Sequence, residues 1–243
     1  MDQLVGRKEV QFDVRKFAWI GSPVSETVLL YMRNDAPYKS MRDIVKAKEP
    51  PKCGSSGTVG SDYILARLLE DAIGAKFNTV LGYPGGSEID LAVEKGEVVC
   101  RAHNISAHFG REPFNSWHKK DFDRHIVQTG RKRDANLPDT PTIYQLFDEY
   151  KTPDGSRRVA QVMLAGGELG RPMLVAPGTA PERIKILRDA YARALKDPEL
   201  LAEAEKNKMD VDPSSGDELD DLMKKVMDQP KDVIDRVKKM LDN

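Results

Sequence analysis

Apolar residues recur along this chain with two alternating periods, short runs closed by Gly, Pro or Asn-Asp and longer stretches that return every three to four positions. Residues 17–22 and 27–33 are runs of the first kind and predict strands. Ser40 caps a short predicted helix that reaches Lys48 and stops at Pro50-Pro51. Ile64, Leu65, Leu68, Leu69, Ala72 and Ile73 then fall on one face of a longer helix ended by Gly74. A strand over 77–81 follows. Ser87 stands as the N-cap of the next helix, with Asp90 at the capping-box position, Ile89 to Lys95 as its body and Gly96 as its stop. Residues 98–100 read as a strand. From 101 to 120 the period is lost, and His103, His108, Phe109, Pro113, Phe114, Trp117 and His118 lie scattered among polar residues, which predicts an excursion over the surface. Strands resume at 125–130 and 171–178, with a turn-rich link at 137–142 and a helix over 143–150. Thr179-Ala180-Pro181-Glu182 heads a helix with Ile184, Leu187, Tyr191, Ala194 and Leu195 on its apolar face. Helices opened by Asp197-Pro198 and by Ser215, and an amphipathic tail from Asp232, complete the chain. Strands alternating with helices predict an α/β fold with mostly parallel sheets, which bind ligands beyond the carboxyl ends of their strands.

Two small-residue loops occupy that position. The first is Cys53-Gly54-Ser55-Ser56-Gly57-Thr58-Val59-Gly60-Ser61 and the second Leu81-Gly82-Tyr83-Pro84-Gly85-Gly86-Ser87, each opening a helix. Glycines let backbone approach a guest, hydroxyls and amides donate, and the positive end of the helix dipole favours a negative group. The pair therefore predicts a small-anion site. Other readings of the first loop fail on spacing. Thr58 stands where a Gly-x-Ser-x-Gly nucleophile elbow needs its second glycine, no Gly-Lys-Ser/Thr follows for a P-loop, and Gly54, Gly57 and Gly60 lack dinucleotide spacing. No base is placed beside a serine, so no enzyme is expected.

Composition narrows the partners. A formal charge of −1 with basic and acidic residues interleaved leaves no stripe for a polyanion, so nucleic acid is not an expected partner. No window reaches the roughly 18 apolar residues needed to cross a bilayer, and Met1-Asp2-Gln3 does not open a secretion leader. Cys53 and Cys100, far apart in sequence, are expected to be small packed residues rather than a disulfide framework. His103, His108, His118 and His125 lack the close pairing and the carboxylate complement of a zinc site, so neither a metal nor another cofactor is expected.

Six segments in order carry a family resemblance: Trp19-Ile20-Gly21-Ser22; Gly54 through Ser61; Gly82-Tyr83 with Gly85-Gly86; Ala92 through Val98; Leu137-Pro138-Asp139-Thr140-Pro141-Thr142; and Ala176 through Arg183. Together the sequence resembles the Bug-type solute-binding proteins of tripartite tricarboxylate transporters. The resemblance implies a two-lobed periplasmic-binding-protein fold closing like a flytrap on an organic di- or tricarboxylate, membrane transporter components as partners, and a periplasmic location. It implies ligand contacts from Ser55, Ser56, Gly57, Thr58, Ser61, Tyr83, Gly85 and Gly86. Ser22 lies where the first lobe meets the cleft, or is a turn residue before Pro23; Arg101 is either a direct counterion or an exposed arginine with local partners. The expected lobes are 1–35 with 171–243, and 36–170, the chain crossing near Arg33 and Arg171. Relatives begin with a further strand-helix block, so the first lobe is expected to be incomplete and to expose backbone and apolar faces. Competing readings are a cytosolic effector-binding domain, although no helix-turn-helix precedes Phe17, and a shortened paralogue that no longer binds.

Overall fold

A computed structural model describes residues 2–207 and 209–242. In chain order the strands are β1 (Ala18–Ser22), β2 (Val28–Arg33), β3 (Lys52–Gly54), β4 (Asn78–Val80), β5 (Cys100–Asn104), β6 (Asp123–Gln128), β7 (Met173–Val175) and β8 (Ser214–Ser215). The helices are α1 (Met41–Lys46), α2 (Ser61–Ile73), α3 (Gly86–Lys95), α4 (Ile105–Gly110), α5 (Phe114–Lys119), α6 (Ile143–Glu149), α7 (Asp154–Leu169), α8 (Pro181–Ala194), α9 (Pro198–Lys206), α10 (Gly216–Met227) and α11 (Lys231–Asp242).

The chain forms two compact units, one from residues 1–26 and 161–235 and the other from 27–160 and 236–243. These divisions differ from the expected lobes, 1–35 with 171–243 and 36–170, and from the crossings expected near Arg33 and Arg171. The cause is β2, which the sequence reading joined to β1; it is instead the inner strand of the second unit, hydrogen-bonded to β5 on one side and β6 on the other.

The first unit carries a three-stranded sheet in the order β7-β1-β8, antiparallel throughout. Trp19 packs on Leu219 and Met223 of α10, and Arg188 of α8 donates to the Trp19 carbonyl while pairing with Asp217 and Asp220. In the same unit Met173, Leu174, Ile186, Leu187, Leu200 and Leu201 are exposed.

The second unit holds the sheet β4-β3-β5-β2-β6. Pairs β3/β4 and β3/β5 are parallel, whereas β2 runs antiparallel to both its neighbours. Both sheets are therefore mixed or antiparallel, a correction to the mostly parallel sheets read from strand-helix alternation: β2 enters directly from the other unit without a crossover helix. Two further expectations change. The stretch 101–120 is no surface excursion; it completes β5 and forms α4 and α5, with Phe114 and Trp117 buried in a core with Leu29, Tyr31, Val93 and Ile105. Cys53 and Cys100 are register partners on adjacent strands and form a disulfide. Sequence distance hid a contact that strand pairing supplies.

Candidate ligand site

The second unit places the first loop between β3 and α2 and the second between β4 and α3. Strands β3 and β4 are parallel neighbours, so both loops leave the sheet at the same end. Neither helix is capped by a side chain: Gly60 is the N-cap of α2 and Gly85 that of α3. The capping role given to Ser87 and Asp90 is thus corrected. Helix α3 starts before Ser87, and Asp90 turns inward. In the first turn of α2 the Tyr63 amide donates to the Asp62 carboxylate at 2.9 Å, which leaves the amides of Ser61 and Asp62, with those opening α3, for an outside acceptor.

Beneath the loops lies a buried polar network. Ser55, fully buried, donates its one hydroxyl proton to Asp62 at 2.6 Å, lies 3.0 Å from the Gly57 carbonyl, and accepts from the Gly57 amide. This hydroxyl shapes the loop and is not free for a ligand. Ser56 is exposed, Gly57 and Thr58 are half-buried and Ser61 is exposed, so the outward face of the loop is the stretch 56–58 with Ser61. Among the described residues no hydrogen bond engages the amides of Ser56 and Thr58. In the second loop Tyr83, Gly85 and Gly86 are half-buried.

Arg101 joins the two loops from below. Its guanidinium donates to Asp90 at 2.5 Å and to the Gly86 carbonyl at 2.8 Å, and lies 3.8 Å from Asp62. Asp90 also accepts from the Tyr31 hydroxyl at 2.7 Å. Burial and the adjacent Asp90 carboxylate hold the Tyr31 phenol neutral, well above its ordinary pKa. Arg101 is buried, not an exposed arginine, because β5 is an inner strand and delivers the side chain under the start of α3. It fixes Gly86; a Cβ there would run into the guanidinium. Ser22 belongs to the other unit, where its hydroxyl donates to the Val24 carbonyl and accepts from the Arg171 amide.

The model of the tripartite tricarboxylate transporter family receptor matches residues 7–239. The chain belongs to this receptor family. A search of curated proteins finds no sequence match. Among solved structures the receptor is similar to a TctC solute-binding protein from Polaromonas (TM-score 0.72, 16% identity), covering 100% of this chain and 74% of that one. It is also similar to an R. palustris protein solved with adipate (TM-score 0.56, 16% identity, 97% of this chain and 72% of that one). A third likeness is to MatC from Rhodopseudomonas palustris with bound malate (TM-score 0.54, 16% identity, 98% and 74%). At such identity these likenesses establish the two-lobed fold.

The sequence reading missed one gathering of functional groups in this receptor. His108 of α4, His118 of α5 and Asp123 and His125 of β6 converge, with one donor atom from each and all four within 4.8 Å of one another. His108 Nε2 is 2.9 Å from Asp123 Oδ2 and 3.1 Å from His125 Nε2; Asp123 Oδ2 is 3.4 Å from His125 Nε2 and 3.9 Å from His118 Nε2. The carboxylate complement judged absent is Asp123. Burial pushes the His108 and His118 imidazoles below their ordinary pKa, and hydrogen bonds from His108 and His125 hold Asp123 ionised against its own burial. The available signal was a strand reading Asp-Arg-His after two helical histidines, which carries no regular spacing.

Proposed function

We propose that this receptor captures a small organic di- or tricarboxylate on the two amide-lined loops of its second unit and delivers it to the membrane components of a tripartite tricarboxylate-type transporter. The family match over nearly the whole chain carries the reading. The adipate and malate bound to structural neighbours set the ligand class to try first.

The site's own chemistry supports it. One carboxylate docks on the amides of Ser56 and Thr58 and the uncapped first turns of α2 and α3, with Ser56, Gly57, Thr58, Ser61, Tyr83, Gly85 and Gly86 around it. Ser55 and Arg101 act as positioning residues. Arg101 faces both Asp62 and Asp90, so the side chains beneath the loops have no cation to spare. Attraction must come from aligned amides, whose charge-assisted hydrogen bonds contribute about 1.5 to 3 kcal/mol each. Three to five of them reach the roughly 8 kcal/mol of micromolar binding.

Capture occurs without chemistry. The Ser55 hydroxyl is committed to Asp62 and Gly57, and His108, His118 and His125 belong to a separate cluster. The receptor works in the periplasm, consistent with neighbours described as periplasmic and with the Cys53–Cys100 disulfide, a bond that persists in oxidising compartments.

Calorimetry with four- to six-carbon dicarboxylates and with tricarboxylates tests the reading. Micromolar binding of at least one acid is expected, together with a thermal shift worth about 2.7 kcal/mol at a hundred times its dissociation constant. Absence of heat across the panel, or binding untouched by Gly57→Val, overturns it.

A further inference from the structure

We propose that His108, His118, Asp123 and His125 form a tetrahedral site for a divalent late transition ion, zinc being the best fit, separate from the anion-binding loops. Three imidazoles and one carboxylate are donors that zinc accepts in closed four-coordinate sites, at about 2.0 to 2.2 Å from the ion. Ligand atoms at tetrahedral corners of such a sphere lie about 3.3 to 3.6 Å apart. Four of the six separations, 2.9, 3.1, 3.4 and 3.9 Å, bracket that range, and the other two lie within 4.8 Å, so the ligands close by small side-chain shifts around an ion.

Hydrogen bonding alone does not account for the convergence. Asp123 Oδ2 has three imidazole nitrogens within 3.9 Å, and two of them, from His108 and His125, face each other at 3.1 Å. Each Nε2 carries one proton or one lone pair, so a shared proton satisfies a single contact. Three polar atoms of the cluster remain buried with no partner: His118 Nε2, His108 Nδ1 and Asp123 Oδ1. Orphaned buried atoms of this kind are costly. A cation at the centre engages His118 Nε2 directly and lets Asp123 bind through its carboxylate.

The surroundings suit a metal. The side chains of His108 and Asp123 are fully buried, while those of His118 and His125 are 25% and 20% exposed, which gives the ion a route in from one edge. Phe109 packs on His118 and His125, and Phe114 and Tyr31 pack on His108, forming an apolar shell that holds the rings in place. Ligands come from α4, α5 and β6, so an ion would tie the two short helices to the sheet. Helices of 6 residues have little stability of their own.

The test uses the full chain without a polyhistidine tag, stripped with chelator and dialysed. Loading with Co2+ should give one ion per chain and the strong visible bands of tetrahedral cobalt, displaced by Zn2+. Zn2+ should raise the thermal midpoint, and chelator should lower it. The edge ligands are changed first, because the buried pair could fail to fold: His118→Ala/His125→Ala should keep the far-ultraviolet spectrum yet bind Zn2+ at least about 100-fold more weakly. His103→Ala, outside the cluster, should leave stoichiometry unchanged. No stoichiometric uptake, octahedral cobalt bands, or undiminished affinity in the double variant overturns the proposal. Metal uptake is read independently of organic acid binding, so failure of one leaves the other standing.

Discussion

The network below the loops predicts a strong energetic coupling between Asp90 and Arg101. Both are buried, at 3% and 8% exposure, and their contact is 2.5 Å. Removing one member of such a pair costs about 3 to 5 kcal/mol, because the remaining charge is left uncompensated. Asp90→Leu belongs at the lower end, since Arg101 retains the Gly86 carbonyl and Asp62 at 3.8 Å. Arg101→Met belongs at the upper end, for it strands Asp90 and weakens the surroundings of Asp62 together. The double variant removes both charges and leaves chiefly the Tyr31 hydroxyl without its acceptor, a loss of about 1 to 3 kcal/mol. Singles summing to about 8 kcal/mol against a double near 3 give a coupling of roughly 5 kcal/mol. Urea unfolding followed by Trp117 fluorescence measures it, in a Trp19→Phe background so that the signal reports the second unit alone. A double variant as unstable as the summed singles, or singles costing under about 1 kcal/mol, refutes the network as a load shared by the two charges.

Three further outcomes follow from the same geometry. Reduction, or Cys53→Ala with Cys100→Ala, opens a loop of 47 residues and should lower stability by up to about 4 kcal/mol, with non-reducing peptide mapping confirming the bond; an unchanged midpoint under reductant contradicts it. Gly86→Ala forces a methyl group against the pinned Arg101 guanidinium and should cost about 1 to 3 kcal/mol as well as ligand affinity, whereas Gly57→Ala meets open space and should leave thermal stability unchanged; equal midpoints for the two variants count against the packing described. His103 is held neutral down to about pH 3 by burial and by Arg101, Arg111 and His108 around it. The unfolded chain takes up that proton near 6.5, so stability falls as pH drops from 6.5 towards 3, by about 2 kcal/mol at pH 5. In chelated buffer His103→Gln should flatten that slope relative to the parent, and parallel pH profiles for the two proteins defeat the assignment.

What the sequence disclosed depended on how local the cause was. Helix α2 was readable because Leu65, Leu68, Leu69, Ala72 and Ile73 repeat at helical spacing and Gly74 ends the helix in a left-handed conformation. Ser40, Asp197 and Ser215 were readable as caps, since each accepts from an amide two or three residues on. The region 101–120 misled because its core is partly polar: Arg101, His103 and His108 are buried, so a hydrophobic period cannot reveal β5, α4 and α5. Disulfide and histidine cluster share one cause of concealment. Each depends on register between distant strands, Cys53 against Cys100 and Tyr31 against His125, which no local pattern encodes.

That register also explains why the loops and the histidine cluster occur in one unit without being one site. Arg101, Tyr31 and His125 are successive partners across β5, β2 and β6, so their side chains share a face of the sheet in a single transverse row. Tyr31 is the hinge of this row: its hydroxyl closes on Asp90 beneath the second loop, while its ring stacks 5.0 Å from that of His108. A change at either end must pass through a side chain that is fully buried and hydrogen-bonded. Tyr31→Phe separates the two. It keeps the ring against His108 and removes only the contact to Asp90, costing about 1 kcal/mol or more. Ligand affinity should therefore fall while metal stoichiometry stays at one. Loss of both together would mean that the row is a single cooperative site, and that the division drawn between anion and cation binding is wrong.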